Sequence, residues 1–529
     1  MSYDLRTHLK ALENYGLLRR VQREVDKNWE LSAIMRWVYI GHEEAKRYAV
    51  LFERVKGYEF PVVVGAVGAS YKTYGVALGI APHQPRAKVM AEIRKKFIDA
   101  LKHPLPTVRV SSGACKEKID RGSAVNMHKF PIPVWTPGKD CGWEDGHGFI
   151  TSSYFMSRDP ETGIRNVGTY RMMIRPEPNV TGVAATFGAH IMHHVRKNEA
   201  RNQATETAAV IGADPVIGMV SPTEVPYGVD ELAVAGALRG SPIEVVHCET
   251  VDIDVPAHAE LVIEGRLPPL SERPYEPEAP FGEYTGYQGS AKLSPVNEIS
   301  CITHRKDCIY QAFLSQMAPS ESSKVRHIGY ESLILKHLQD LGYEGIVDIN
   351  IPEGAQVGVV IVSIRKLDDG QPARITQAIF SLLQPRWGKF VIVTDDDVDI
   401  YDLDNVLWAI TFRTSLSPMR KDIRFLDGMI AQCLDYSAAS NMEELKSRWD
   451  WPSSGVLIDA TRPFAPYPVV ALPPAQYLTR ALESWHEYGL PELDRKEIPR
   501  SIIVEEDYLE KGLAALPRIW DIKAEKHKA

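Results

Sequence analysis

Leu5, Leu9 and Leu12 fall on one face of a helical repeat, Asp4 stands where an N-cap would, and Gly16 ends the pattern. Short β-like runs over 49–55 and 61–67 predict strands, and Met90, Ile93, Phe97 and Leu101 predict an amphipathic helix over 85–101. Residues 1–125 therefore read as a small N-terminal α/β domain. The texture changes over 126–315, where β-rich runs at 149–155, 165–174, 244–251 and 260–265 are broken by Pro and Gly, with one helix after His190. Runs at 299–303 and 309–313 flank Arg305, Lys306 and Asp307, which predicts a hairpin. Closely spaced strands with few helices predict a barrel or sandwich.

From 326 to 462 helices and strands alternate. Ile334, Leu338 and Leu341 mark a helix stopped by Gly342. Strands follow at 346–351, 357–364 and 390–394, with helices at 375–383 and 405–412. This predicts a C-terminal α/β domain with a largely parallel or mixed sheet. The remainder, 463–529, reads as a Pro-rich linker (463–474) and a helical tail with helices at 475–488 and 508–516, of a kind that packs on a second subunit. No internal repeat or low-complexity tract interrupts this order.

Composition narrows the classes. Of 529 residues, 44% are hydrophobic and 25% charged, which excludes disorder as the main state. Lys+Arg 61 against Asp+Glu 69 leaves −8, a balance that disfavours nucleic acid as a partner. Cys115, Cys141, Cys248, Cys301, Cys308 and Cys433 form no CxxC pair, so neither a disulfide framework nor a zinc ribbon is expected. No apolar run reaches the roughly 18 residues of a membrane span, and the N-terminus is too polar for a signal peptide. A cytoplasmic enzyme is the expectation. GxxxxGK, HExxH and strand-borne GxGxxG motifs are all missing, which makes kinase and NAD chemistry unattractive.

Chemistry then rests on scattered groups. Asn166 and Arg171 share a β-like run, where Arg171 is either a surface strand arginine or a bidentate holder of a carboxylate. His190, His193 and His194 have helical spacing, so the set converges on a metal or only one member matters. Glu231 follows a Gly turn, as an exposed helix start or as a ligand with partners from elsewhere. Glu278 and Glu283 lie in a run that Pro280 and Gly282 exclude from helix. Two acids near one arginine do not ionise equally, and the one kept protonated is a proton donor; the alternative is a solvated acidic loop. The acid run 395–404 lacks an EF-hand's glycine and terminal Glu, so it reads as structural, with Asp404 capping the next helix.

Together these segments resemble the UbiD family of decarboxylases, which use prenylated flavin mononucleotide (prenylated FMN). The residues that carry the resemblance are Asn166 to Arg171, His190-Ile191, Ala213 to Pro215, Pro226 to Glu231, Ala235 to Gly240, Val255 to Gly265 and Glu278 to Glu283. Asp4-Leu5-Arg6, Val393 to Asp399 and Ile458 to Thr461 extend it over nearly the whole chain. The resemblance implies a central split β-barrel flavin domain over 126–315 and a C-terminal domain that dimerises. It implies Asn166, His190 and Glu231 as ligands of a divalent metal, manganese, at the flavin phosphate, with a potassium ion nearby; His193 and His194 are the alternatives to His190. One amide, one imidazole and one carboxylate suit such a metal better than thiolates would. Thr169, Tyr170 and Arg171 would line the flavin, and Lys389 would contact its phosphate. Arg171, Glu278 and Glu283 would form the family's catalytic network. Glu283 donates the proton, Arg171 orients the substrate carboxylate and Glu278 holds Arg171.

The implied activity is reversible non-oxidative decarboxylation of an aromatic or α,β-unsaturated acid through a covalent prenylated-flavin adduct. Such a protein takes its cofactor from a flavin prenyltransferase and forms a homodimer or a larger homo-oligomer such as a hexamer. The alternatives are a physiological carboxylase, an aroyl-CoA decarboxylase of the phthaloyl-CoA type and a non-catalytic subunit of a larger carboxylase. From a different class comes a metal-dependent hydrolase, which predicts activity without flavin.

Overall fold

Asp4 accepts a hydrogen bond from the Thr7 N–H at 2.8 Å and caps the helix Leu5–Asn14. Leu5, Leu9 and Leu12 turn inward onto Leu17, Leu18, Leu51 and Val63, each burial contributing about 1.5–3 kcal/mol. These details come from a computed structural model that describes residues 4–135, 148–185, 188–289, 291–383, 388–417, 420–430, 452–463 and 472–493. The chain forms two compact units, Met1–Leu333 and Ile334–Ala529.

The first unit holds a four-stranded sheet in the order Leu18–Val21, Ala49–Phe52, Val62–Val64, Tyr310–Ala312. The expected helix near 85–101 is Arg86–Lys102, and two further helices, Glu30–Gly41 and Tyr71–Ala77, were not expected. The last strand of this sheet comes from far down the chain and overturns the hairpin expected at 299–313. Val296–His304 pairs with Leu261–Leu267, Val180–Val183 and Lys118–Arg121, whereas Tyr310–Ala312 runs parallel to Val62–Val64 in the other sheet. The charges expected at the tip of that hairpin instead clamp the crossing. Arg305 donates to Asp4 Oδ2 and to the His258 carbonyl, both at 2.8 Å. Arg6 forks onto the buried Glu260 at 2.8 and 2.9 Å and also bonds Asp307. Glu260 in turn accepts from the Ile309 N–H at 2.9 Å.

The second sheet of this unit is antiparallel throughout. Its order is Phe149–Ile150, Met172–Ile174, Val180–Val183, Val296–His304, Leu261–Leu267, Thr205–Ile211, Tyr154–Arg158, Arg165–Thr169, with Lys118–Arg121 added on Val296–His304. Arg165–Thr169 stands at one end of that order and Met172–Ile174 beside the other, yet only Tyr170 and Arg171 separate them in the chain. Three Cα–Cα steps of ~3.8 Å span at most about 11 Å. The sheet must therefore curl until its ends nearly meet, and it forms a half-barrel whose open seam is crossed by Tyr170 and Arg171.

The second unit is a mixed five-stranded sheet ordered Ile346–Asn350, Val359–Ile364, Phe390–Asp395, Pro452–Ala460, Ile423–Ile430. Helices Gln371–Leu383 and Leu403–Arg413 pack with it. Asp402 rather than Asp404 caps the latter, accepting from the Asp404 N–H at 3.1 Å, because the helix starts one residue before Asp404. Asp395 and Asp397 close on Arg413 at 3.0 and 2.7 Å, so the acid run has a structural use. Ala475–Glu483 is helical and a short turn follows over Trp485–Tyr488; the helix expected at 508–516 and residues 464–471 of the linker lie outside the described residues. Among the described residues no helix is long and apolar enough to cross a membrane.

Candidate active site

The strand Arg165–Thr169 pairs with Tyr154–Arg158 and carries Asn166 inward, opposite Ser157. On the same strand the Val167 N–H donates to Glu231 Oε2 at 2.9 Å. Glu231 opens the helix Glu231–Arg239, capped by Asp230, which accepts from the Leu232 N–H at 2.9 Å and from Arg165 at 2.7 Å. Glu231 is buried, so it is no exposed helix start, and burial pushes its carboxyl up to about 8. His190 opens the helix His190–Glu199, and burial lowers its pKa, which favours the neutral imidazole a metal takes. Asn166, His190 and Glu231 thus line one small cleft, together with Asp159, His194 and Tyr227.

The three imidazoles differ. His193 is exposed and does not line the cleft. His194 lines it as well, with its Nδ1 meeting Ser157 Oγ at 2.9 Å and burial pushing its pKa down to about 4. His190 and His194 therefore both turn toward the cleft, and His193 does not. The donor set fits a divalent cation on one observation: the buried Glu231 carboxylate is hydrogen-bonded by a backbone N–H rather than by a cationic side chain. A cation in the cleft would relieve the cost of burying that charge.

At the seam, Thr169 Oγ1 lies 2.8 Å from Ser221 Oγ, and the Tyr170 carbonyl accepts from Ser153 Oγ at 2.7 Å. Burial pushes the Tyr170 phenol up to about 12. Arg171 follows. Its Nε and Nη2 fork onto Glu278 at 2.9 and 3.3 Å, while Nη1 donates to Glu283 Oε1 at 2.6 Å. Burial alone would lower the Arg171 pKa, but the two carboxylates hold it above the ordinary value. The two acids are not equivalent. The Glu278 side chain is 0% exposed and bound by both its oxygens, whereas that of Glu283 is 17% exposed and bound by one.

The loop between them is shaped as well as charged. Phe281 places its ring 4.7 Å from the Arg171 guanidinium carbon. A tight hairpin then sets Glu283: its N–H donates to the Tyr287 carbonyl at 2.9 Å, and Gly289 N–H to Phe281 O at 2.8 Å. A Cβ on Gly289 would come within 3.0 Å of Glu283 Cγ and Oε1, so glycine leaves the carboxylate its room. Lys292, which sequence reasoning missed, brings its Nζ within 3.8 Å of Glu278 Oε2 because strands Glu276–Glu278 and Lys292–Ser294 pair across from each other. Lys389 belongs to the second unit, immediately before the strand Phe390–Asp395.

Three family models match the chain in order. They are the N-terminal, Rift-related and C-terminal domains of 3-octaprenyl-4-hydroxybenzoate carboxy-lyase, over residues 9–95, 107–317 and 325–460. The chain belongs to the UbiD family. It is 30% identical to the UbiD-class enzyme HmfF from Pelotomaculum thermopropionicum, solved in complex with FMN, covering 90% of this chain and 98% of that one at a TM-score of 0.77. An evolved dimeric form of HmfF in complex with prFMN is 31% identical, with 89% and 97% covered and a TM-score of 0.74. Vanillic acid decarboxylase from Sedimentibacter hydroxybenzoicus, in its open form, is 27% identical, with 92% and 98% covered and a TM-score of 0.76. By family the chain is a UbiD-type carboxy-lyase.

Proposed function

We propose that this UbiD-family protein decarboxylates an aromatic or α,β-unsaturated carboxylic acid without oxidation, using prenylated FMN. The observation that carries this reading is one half-buried arginine shared by two unlike glutamates at the seam of the half-barrel. The relative whose name states an aromatic acid, vanillic acid decarboxylase, supports an aromatic substrate.

When bound, the prenylated flavin would supply the electron sink that no side chain offers for the electron pair left on an sp² carbon as carbon dioxide departs. The chain's own residues do the rest. Arg171 presents its charge to the substrate carboxylate, and Glu278, which forks onto it, fixes that orientation before substrate arrives. Phe281 beside the guanidinium keeps water from that side of the carboxylate. After carbon dioxide leaves, Glu283 delivers a proton to the carbon it left, and the hairpin holding its backbone sets the reach. A non-catalytic subunit has no need of this network. Asn166, His190 and Glu231 would hold manganese at the flavin phosphate, and the family reading adds a potassium ion beside it. Thr169 and Tyr170 would line the flavin. Leu403, Leu407 and Phe412 leave an exposed apolar surface on the helix Leu403–Arg413, which supports a homo-oligomer formed through the second unit.

Expression alongside a flavin prenyltransferase should give a protein with visible flavin absorbance that releases carbon dioxide from a panel of aromatic acids. Activity from a colourless protein would sink the reading. Asn166→Ala and Glu231→Ala should each lose metal and flavin together, so stoichiometric flavin in either variant counts against the cation site. His190→Ala should weaken Mn2+ binding at least tenfold, while His193→Ala leaves it within about twofold, in line with the usual cost of losing a ligand or its support; equal losses would reopen the choice of imidazole.

A further inference from the structure

A metal-bound imidazole is normally oriented by a hydrogen bond from its second ring nitrogen to a carboxylate, carbonyl or water. Among the described residues no such bond reaches His190 from a protein group, whereas His194, one turn along the same helix, has Ser157. What meets His190 is an aromatic ring. Tyr227 packs against it at 5.2 Å between centroids and 86° between planes. The same ring touches His193 at 5.3 Å and His194 at 6.1 Å, so it lies across the whole histidine face of the helix.

We propose that Tyr227 is the positioning residue of the cation cleft, fixing the plane of the His190 imidazole and tying that plane to the Asp159–Lys197 ion pair. This rests on the reading of Asn166, His190 and Glu231 as cation ligands. The tie is explicit. The Tyr227 hydroxyl donates to Asp159 Oδ2, which Lys197 also reaches at 2.7 Å. Asp159 is 2% exposed, and its other oxygen accepts from the N–H groups of Glu161 and Thr162 at 2.8 and 3.4 Å. Lys197 lies seven residues, about two turns, beyond His190 on the same helix, and its ammonium sits 5.7 Å from the centre of the Tyr227 ring. The phenol is therefore held at its oxygen and beside the Lys197 ammonium, with the His190 ring set at nearly a right angle to it. Gly228, at φ +90, supplies the turn that separates this side chain from the ligand Glu231. Tyr227 is 45% exposed, so it does not hold this place as core filling.

The test uses the full chain saturated with FMN and titrated with Mn2+, with free ion read by electron paramagnetic resonance. Tyr227→Leu removes the ring and should weaken Mn2+ binding about 10–100-fold, the range for losing an outer-shell orienting group. Tyr227→Phe keeps the ring and loses the tie to Asp159, and should fall between the wild type and Tyr227→Leu. The nitrogen coupling of the bound ion should weaken in the same order, a signature that a merely structural tyrosine would leave unmoved. Tyr227→Leu binding Mn2+ within threefold of the wild type overturns the proposal. If that variant fails to fold, Asp159→Asn and Tyr227→Phe carry the test, and wild-type affinity in both overturns it equally. Asn166→Ala and Glu231→Ala separate the two readings. If they weaken binding and Tyr227→Leu does not, only the role of Tyr227 falls. If they bind as the wild type does, or the wild type binds no Mn2+, the cation site falls and the proposal with it.

Discussion

Glu283→Gln is expected to stop carbon dioxide release and solvent deuterium exchange while the protein keeps its flavin. The amide has the carboxyl's shape, and its oxygen can still accept from Arg171 Nη1, so the hairpin and the substrate cleft stay as they are. What disappears is the transferable proton. A positioned general acid is worth about 10²–10⁴-fold, so turnover should fall by that factor, with binding of substrate changed far less. Carbon dioxide release, exchange followed by NMR and visible absorbance of the same sample make the three readings. Near-normal turnover would refute the donor assignment. A loss of flavin in step with activity would show that Glu283 supports the cofactor instead.

The second large effect belongs to Arg171. Arg171→Met removes both of the arginine's hydrogen bonds from a carboxylate with no exposure to water, and the Lys292 ammonium lies 3.8 Å from it. Breaking one side of a buried pair costs about 3–5 kcal/mol, because the remaining charge is uncompensated. The variant should therefore be inactive and also less stable, seen as a lower denaturant midpoint at unchanged slope. Adding Glu278→Gln takes away the stranded charge and should recover much of the stability and none of the turnover. A single variant as stable as the wild type would mean that Lys292 already balances Glu278.

The network around Arg171 was legible only through the family resemblance. Pro280 and Gly282 rule out a helix between two acids, but the residues alone left a solvated loop and a surface strand arginine open, because the contact between them depends on distant segments. The cation ligands were legible as residue types, but Glu231 looked like an exposed helix start, since its burial depends on a strand far upstream. Lys292 was hidden for a similar reason: Glu276–Glu278 and Lys292–Ser294 are three-residue strands, one carrying Pro277, too short to show a period. Tyr227 stood in plain view within the run ending at Glu231, yet an aromatic residue on a turn says nothing of the helix it will cross.

The fold shows the same division between local and distant causes. Leu5–Asn14 was readable from its cap and stripe, whereas Glu30–Gly41 begins at Trp29 with φ +69 and no side-chain cap, so no start signal precedes it. Asp402 and Asp404 are equally good caps by type, and only the register of the helix chooses between them. Arg305, Lys306 and Asp307 read as the turn of a hairpin because charge is visible in a sequence and the partner of a charge is not.

The crossing at Tyr310–Ala312 also sets a timetable for the newborn chain. Val62–Val64 leaves the ribosome 310 − 64 = 246 residues before the strand that covers it. At roughly 5–20 residues per second that is a wait of about 12–50 s. Through it three valines present an unpaired sheet edge, the kind of surface on which nascent chains stick to one another. Crowded polysomes therefore bring such edges together before any flavin or substrate is involved.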